Sequence, residues 1–259
     1  MPIHQYHYNK PFEFESGEQI SELNIAYHTF GTLNHKKDNV VWICHAFTAN
    51  SDPSDWWPGM CGEGKFFNPD KDFIICANVV GSCYGTTGPL SINPETEYPY
   101  YRSFPKLTVR DMVKAHILLA DHLGINNIKL LVGASVGGHQ AIEWAVQEAN
   151  RIEHLILMET NAEFHPWGRA FNASQQMAIE ADPTFKLDIP KGGIEGMKVA
   201  RSMALISYRN AHAYNSTQAE TDNSITDNYK AYSYQKYQGE KLAKRFNAYS
   251  YYYLSKALD

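Results

Sequence analysis

Four short, mainly apolar runs without polar alternation restrict how this chain can fold more than any other feature. They span residues 40–44, 73–76, 128–132 and 155–158. Such runs are typical of strands buried on both faces of a parallel sheet. Helical patterns lie between them at 110–123 and 136–149, and Gly124 stands where the first helix should end. The order strand, helix, strand predicts an α/β fold with a doubly wound, mostly parallel sheet.

The two ends of the chain differ from this central pattern. Apolar residues alternate on either side of Ser16-Gly17 within the first thirty residues, which predicts a hairpin that opens the sheet. Residues 164–259 contain no convincing strand and are dense in tyrosine, and the expected helices are at 168–182, 191–210 and 225–258. We therefore predict an α/β core over residues 1–163 and a helical cap over residues 164–259, with the tyrosines packing the cap helices.

Composition narrows the classes of protein to which the chain can belong. It has 259 residues, a net charge of −5 and a pI near 6.1, which give no electrostatic case for binding nucleic acid or an anionic membrane. No run approaches the roughly 18 apolar residues of a membrane helix, and the N-terminus lacks a signal-peptide pattern. Cys44 and Cys76 lie in apolar runs and are expected to be buried free thiols. These features predict a soluble, cytoplasmic protein without a metal site.

The sequence Gly-Ala-Ser-Val-Gly at 133–137 follows a predicted strand and opens a predicted helix. It resembles the nucleophile elbow of α/β-hydrolase-fold enzymes, in which a serine sits at the tip of a sharp turn and flanking glycines let strand and helix pass closely. The turn also directs the Val136 N–H, at a helix N-terminus, towards an oxyanion formed beside Ser135. Ser135 is thus the candidate nucleophile and Val136 one oxyanion donor.

A second element follows the strand at 40–44, where His45, Ala46 and Phe47 come next. In the same fold the loop after this strand supplies the other oxyanion N–H, and Phe47 is the candidate donor. His45 and His139 lie close to these elements, but we expect both to have structural roles and neither to be the general base.

Longer motifs resemble homoserine O-acetyltransferases, a family of acyltransferases with the α/β-hydrolase fold. They cover the chain from about Ala26 to Asp259 and are far more specific than the elbow alone. The matching stretches are 78–89, 91–94, 104–105, 108–113, 133–138, 143–145, 170–172, 181–183, 199–201 and 237–241.

The resemblance implies a ping-pong transfer that belongs to methionine biosynthesis. Ser135 would attack acetyl-CoA, the N–H groups of Phe47 and Val136 would hold the oxyanion, and the hydroxyl of L-homoserine would then take the acetyl group. It also implies that Arg201 and Tyr208, seven residues apart, contact the homoserine carboxylate. Acetyl-CoA is then a cosubstrate, no cofactor is bound, the cap limits hydrolysis of the acyl-enzyme, and the protein is a homodimer through its cap.

The catalytic acid and base are not assigned to any residue. In the family both follow the cap on two further strands, which would need at least ~60 more residues, whereas the sequence ends at Asp259 within the last expected helix. The resemblance therefore implies a chain truncated before the triad Asp and His, without the last strands of the core and with impaired activity.

Other functions remain open from the sequence alone. Within the fold, the alternatives are a homoserine O-succinyltransferase, a serine O-acyltransferase and a serine esterase. An alternative of another class is a non-catalytic binding protein that lacks the base.

Overall fold

The computed structural model describes residues 2–222 and 224–259. The chain divides into two compact units. The first unit ends at Glu163 and the second runs from Phe164 to Ala257.

The first unit is built around a mixed six-stranded sheet. The strands of this unit, in chain order, are β1 (His4–Tyr8), β2 (Phe12–Glu13), β3 (Gln19–Ile20), β4 (Leu23–Phe30), β5 (Val40–Cys44), β6 (Phe73–Ala77), β7 (Leu130–Ala134) and β8 (Leu155–Met158). The order in the six-stranded sheet is β1-β4-β6-β5-β7-β8. Strands β6, β5, β7 and β8 are parallel, whereas β4 is antiparallel to both β1 and β6. The predicted α/β fold with a mostly parallel sheet is confirmed.

Apolar side chains decide where the central strands lie. Every residue of β5 is buried, as expected for a strand covered on both faces. Trp42 of β5 packs edge-on against Trp144, with ring centroids 4.9 Å apart. The helices of this unit are α1 (Pro53–Trp56), α2 (Val109–His122) and α3 (Val136–Gln147).

Local sequence explains where α2 begins and ends. Thr108 and Asp111 form a reciprocal capping box that satisfies N–H groups of the first turn. Gly124 follows the last turn with a φ of +64°, a conformation that glycine adopts without a steric penalty. The predicted helix at 110–123 is therefore confirmed to within one residue at each end.

The N-terminal region is more complex than the predicted hairpin. A small hairpin exists, because β2 pairs with β3 across the Ser16-Gly17 turn. However, β4 pairs with β1 instead, and β1 was not predicted. Its sequence, His-Gln-Tyr-His-Tyr, is polar and largely exposed at the sheet edge, so it lacks the apolar alternation that marks a strand.

The described residues of the second unit, 164–222 and 224–257, form helices joined by turns and loops, without a strand. Its helices are α4 (Pro166–Glu180), α5 (Ile194–Ser207), α6 (Ala211–Gln218), α7 (Lys230–Ala243) and α8 (Ala248–Lys256). The prediction of one continuous helix over 225–258 is wrong: Asn247 accepts a hydrogen bond from Ser250 N at 2.8 Å and caps a new helix. Helix α6 was not predicted, and Asn210 caps it in the same way.

The four cysteines are free. Cys44, Cys61 and Cys76 are buried and Cys83 is half-buried, so the predicted burial of Cys44 and Cys76 is confirmed. Burial raises the pKa of the Cys61 thiol to about 11. Over residues 2–222 and 224–259, no group of three or more His, Cys, Asp or Glu side chains could hold a metal ion. None of the helices in this described part combines the length and apolarity needed to cross a membrane.

Candidate active site

Ser135 lies between β7 and α3, at the tip of a sharp turn. Its φ is 54° and its ψ is −124°, a backbone conformation that non-glycine residues rarely adopt. Its side chain is exposed, although the residues that follow it, Val136 to Gly138, are buried. The structure therefore presents the Ser135 hydroxyl in the geometry of a nucleophile elbow.

Two glycines permit this turn. A Cβ atom on Gly133 would overlap the main-chain carbonyl of Gly137, and a Cβ atom on Gly137 would overlap the carbonyl oxygen of Cys44. The absence of a Cβ on Gly133 lets the elbow close. The absence of a Cβ on Gly137 lets α3 begin directly against the end of β5. Larger residues would force strand and helix apart.

The sheet brings Phe47 to the same edge as Ser135. Strands β5 and β7 are parallel neighbours, with Cys44 paired in register with Gly133. Phe47 and Ser135 each follow within three residues of this pair. The carboxyl ends of parallel strands are where the sites of α/β folds are found.

The peptide between Ser135 and Val136 is held at its carbonyl end. Ser135 O accepts hydrogen bonds from Gly138 N at 2.9 Å and from Thr160 Oγ1 at 3.0 Å. Because a trans peptide directs its N–H opposite to its C=O, these bonds also set the direction of the Val136 N–H. This N–H lies in the first turn of α3, where N–H groups have no acceptor within the helix. Val136 can thus donate to an oxyanion.

The peptide between Ala46 and Phe47 is held in the same way. Ala46 O accepts a hydrogen bond from Ala49 N at 3.0 Å and lies 2.9 Å from His45 Nδ1. His45 Nε2 accepts from Val79 N at 3.1 Å, so the imidazole proton is on Nδ1, which donates to Ala46 O. The direction of the Phe47 N–H follows from these contacts.

These contacts make His45 unsuitable as a general base. Both of its ring nitrogens are engaged, and burial lowers its pKa to about 4. Burial also lowers the pKa of His139.

In the second unit, Arg201 and Tyr208 lie together. Arg201 is half-buried on α5, and Tyr208 follows the helix and is 60% exposed. The guanidinium carbon of Arg201 lies 5.9 Å from the centroid of the Tyr208 ring, within the range of a cation–π contact. The spacing of seven residues therefore places both side chains on one face.

Sequence reasoning did not identify two side chains that contact this elbow. Thr160 binds Ser135 O, and the Gln140 amide donates to Val136 O at 3.2 Å. Gln140 follows Val136 by four residues, so helical periodicity could have indicated that pair. Thr160 is 25 residues from Ser135, and no local pattern connects them.

Comparison with known proteins agrees with this architecture. Residues 39–186 match the family model described as the alpha/beta hydrolase fold. The homoserine O-acetyltransferase of Cyclobacterium marinum is 44% identical over 254 residues, which cover 98% of this chain and 72% of the relative. That of Nostoc punctiforme is 39% identical over 259 residues, with the same coverage of 98% and 72%.

Solved structures give the same picture. The homoserine O-acetyltransferase of Bacillus anthracis superposes with a TM-score of 0.88 at 27% identity, over 100% of this chain and 76% of that one. Esterase E22 superposes with a TM-score of 0.85 at 24% identity, over 99% of this chain and 78% of that one, a likeness of fold.

Proposed function

Because the chain belongs to the homoserine O-acetyltransferase family, we propose that it transfers an acetyl group from acetyl-CoA to the side-chain hydroxyl of L-homoserine. The transfer is ping-pong and passes through an acetyl ester on Ser135. The observation that supports it most directly is the exposed Ser135 hydroxyl on a turn with a φ of 54°, beside the first N–H of α3.

In the first half-reaction, Ser135 Oγ attacks the thioester carbon and gives its proton to a general base. The carbonyl oxygen becomes an oxyanion, which the N–H groups of Val136 and Phe47 stabilise. When the tetrahedral intermediate collapses, the C–S bond breaks and CoA leaves as a thiol with the proton from the base. Each such donor is worth about 10²–10³ in kcat in comparable sites.

In the second half-reaction, the homoserine hydroxyl attacks the ester carbonyl and gives its proton to the base. The bond between the acetyl carbon and Ser135 Oγ breaks, and Ser135 recovers its proton. Arg201 and Tyr208 bind the homoserine carboxylate, because a guanidinium can make two parallel hydrogen bonds to a carboxylate. Their mutual contact orients the arginine.

The cellular setting belongs to the same proposal. O-Acetylation of homoserine is a step of methionine biosynthesis, and a cytoplasmic location suits four free cysteines. We propose further that the helical unit serves as the cap and forms a homodimer. Sedimentation at micromolar concentration tests the dimer, and a monomer there would contradict it.

The test is thiol release from acetyl-CoA by the wild-type protein and by Ser135→Ala, each with and without L-homoserine. Release should depend on homoserine, and the substitution should abolish the homoserine-dependent release, since it removes the nucleophile. Ser174→Ala, which changes an exposed serine on α4, is the matched control and should retain full activity.

Two further arms separate the related activities. Equal release of thiol and acetate with and without homoserine would identify an esterase and refute the transferase. A faster reaction with succinyl-CoA than with acetyl-CoA would refute the proposed acyl donor. A faster reaction with L-serine than with L-homoserine would refute the proposed acceptor. Release that Ser135→Ala does not change would refute the assigned nucleophile.

A further inference from the structure

A buried polar chain joins three parts of the first unit: helix α2, helix α3 and the loop that follows β5. Gln140 on α3 is fully buried. Its amide nitrogen lies 3.3 Å from His45 O and 3.2 Å from Val136 O. Its Oε1 lies 2.9 Å from Nε2 of His116, a residue of α2 that is 1% exposed.

Only one orientation of the Gln140 amide satisfies these contacts. Two main-chain carbonyls face the amide nitrogen, and carbonyls can only accept hydrogen bonds, so the NH₂ group must point at them. Oε1 then needs a donor, which makes Nε2 of His116 the protonated ring nitrogen. His116 Nδ1 is buried without a partner in the described part of the chain, as a neutral imidazole of this tautomer allows.

The surroundings of His116 maintain this state. Its ring stacks on Trp144 at 5.9 Å and meets the edge of Trp42 at 5.9 Å. Burial among these rings lowers the pKa of His116 to about 4, so it is a neutral donor at physiological pH. The ring therefore presents a fixed N–H to Gln140.

The two carbonyls that Gln140 binds belong to the segments that carry the proposed oxyanion donors. Val136 is one donor residue. The other, Phe47, lies two residues after His45 in the loop that follows β5. We infer that Gln140, oriented by His116, is a positioning residue that holds these two segments at the separation an oxyanion requires. The inference rests on the proposed function for its consequence in catalysis, but its geometry stands without it.

The two proposed donors lie on different elements: Val136 is on α3, and Phe47 is in the loop after β5. Their separation therefore depends on contacts between these two segments. Residues 45 and 140 are 95 positions apart, and Gln140 is a side chain that bonds to both segments at once. Displacing a donor by about 1 Å can cost about a hundredfold in rate. A bridge that shares one amide between the two segments keeps both donors in place together.

The experiment compares Gln140→Met with wild type. Methionine has a similar length and no donor, so both bridging bonds are lost. We expect kcat for acetyl transfer to fall about tenfold to a hundredfold, with KM for homoserine unchanged. We also expect the ¹⁵N order parameters of the Phe47 and Val136 amides to fall together. Leu119→Ala, a buried apolar change on α2, is the control that lowers stability without touching the bridge.

A second pair of variants covers the case in which Gln140→Met does not fold. His116→Gln can place an amide N–H near the position of Nε2, whereas His116→Phe cannot donate. The phenylalanine variant should lower kcat and both order parameters, and the glutamine variant should restore much of the loss.

The outcomes separate the two proposals. Unchanged order parameters at Phe47 and Val136 in Gln140→Met would overturn the positioning role. Equal order parameters and equal kcat in His116→Gln and His116→Phe would overturn it as well. If the wild-type protein acetylates no homoserine, the proposed function fails, but the order parameters still decide whether Gln140 holds the two segments. If kcat and the two order parameters fell as far in Leu119→Ala as in Gln140→Met, the cause would be a general loss of stability, which would also overturn the inference.

Discussion

The carbonyl oxygen of Cys44, at the end of β5, lies so close to Gly137 of α3 that a Cβ atom on residue 137 would overlap it. Gly137→Ala must therefore push α3 away from the strand that leads into the oxyanion loop. We expect a loss of about 1–3 kcal/mol in the free energy of unfolding, typical of overpacking, and at least a tenfold fall in kcat. Urea unfolding and acetyl-transfer assays measure the two effects.

A matched control exists for this change. An added Cβ on Gly59, which is exposed, meets nothing within 4 Å. Gly59→Ala should leave stability and kcat near the wild-type values. If both variants behaved alike, the close approach of α3 to β5 would have no energetic consequence.

Thr160 should influence the rate through Ser135 O, to which its hydroxyl donates at 3.0 Å. Thr160→Val keeps the shape of the side chain and removes this donor, so that only main-chain N–H groups still hold the carbonyl end of the Ser135–Val136 peptide. A neutral hydrogen bond contributes about 0.5–1.5 kcal/mol, so kcat should fall about twofold to tenfold. Thr160→Ser retains the hydroxyl and should stay within twofold of wild type. A kcat for Thr160→Val equal to that of wild type would argue against the role of this bond.

Stability should decrease as the pH falls from about 6.5 to about 4. Burial lowers the pKa of both His45 and His116 from an ordinary value of 6.5 to about 4 in the folded protein. The unfolded chain therefore binds protons in this range that the folded protein does not, and folding becomes less favourable as the pH falls. By pH 4.5 each histidine should cost about 2–3 kcal/mol, and above pH 7 neither should have an effect.

Urea unfolding at pH 7 and pH 4.5 measures this loss. His116→Gln cannot be protonated at residue 116, so it should lose less stability than wild type between these two pH values. Parallel losses in the two proteins would mean that His116 is protonated in the folded state as readily as in the unfolded chain.

Substitutions of Arg201 and Tyr208 are predicted to weaken the binding of homoserine and to leave the reaction with acetyl-CoA unchanged. Arg201→Lys removes the planar fork, so KM for homoserine should rise at least tenfold, while thiol release in the first turnover stays unchanged. Tyr208→Phe keeps the ring beside the guanidinium and removes the hydroxyl, so its effect should be smaller.

Arg209 provides the control for this pair. It too lies over a tyrosine ring, with its guanidinium carbon 5.7 Å from the centroid of Tyr234. Arg209→Lys should leave KM for homoserine unchanged. An equal rise in KM in both lysine variants would remove the case for a specific contact by Arg201.

The sequence predicted those elements whose formation depends on residues close together in the chain. β5 and β8 were predicted with their observed bounds, and α2 to within one residue at each end, because buried strands and capped helices leave local apolar and capping patterns. β1 was missed because its stability comes from pairing with β4, not from its own composition. The break between α7 and α8 was missed because a single asparagine caps α8 within a run that otherwise favours helix.

The same distinction applies to the site. The sequence by itself determined the elbow, since a serine between two glycines at a strand-to-helix junction has few other conformations. The tertiary structure decided the rest: the bond from Thr160 to Ser135 O spans 25 residues, and that from Gln140 to His45 O spans 95. It also decided that His45 is a buried neutral donor with both nitrogens engaged and so no base. Hydrogen bonds between distant residues depend on how strands and helices pack, and no local pattern in a sequence specifies that packing.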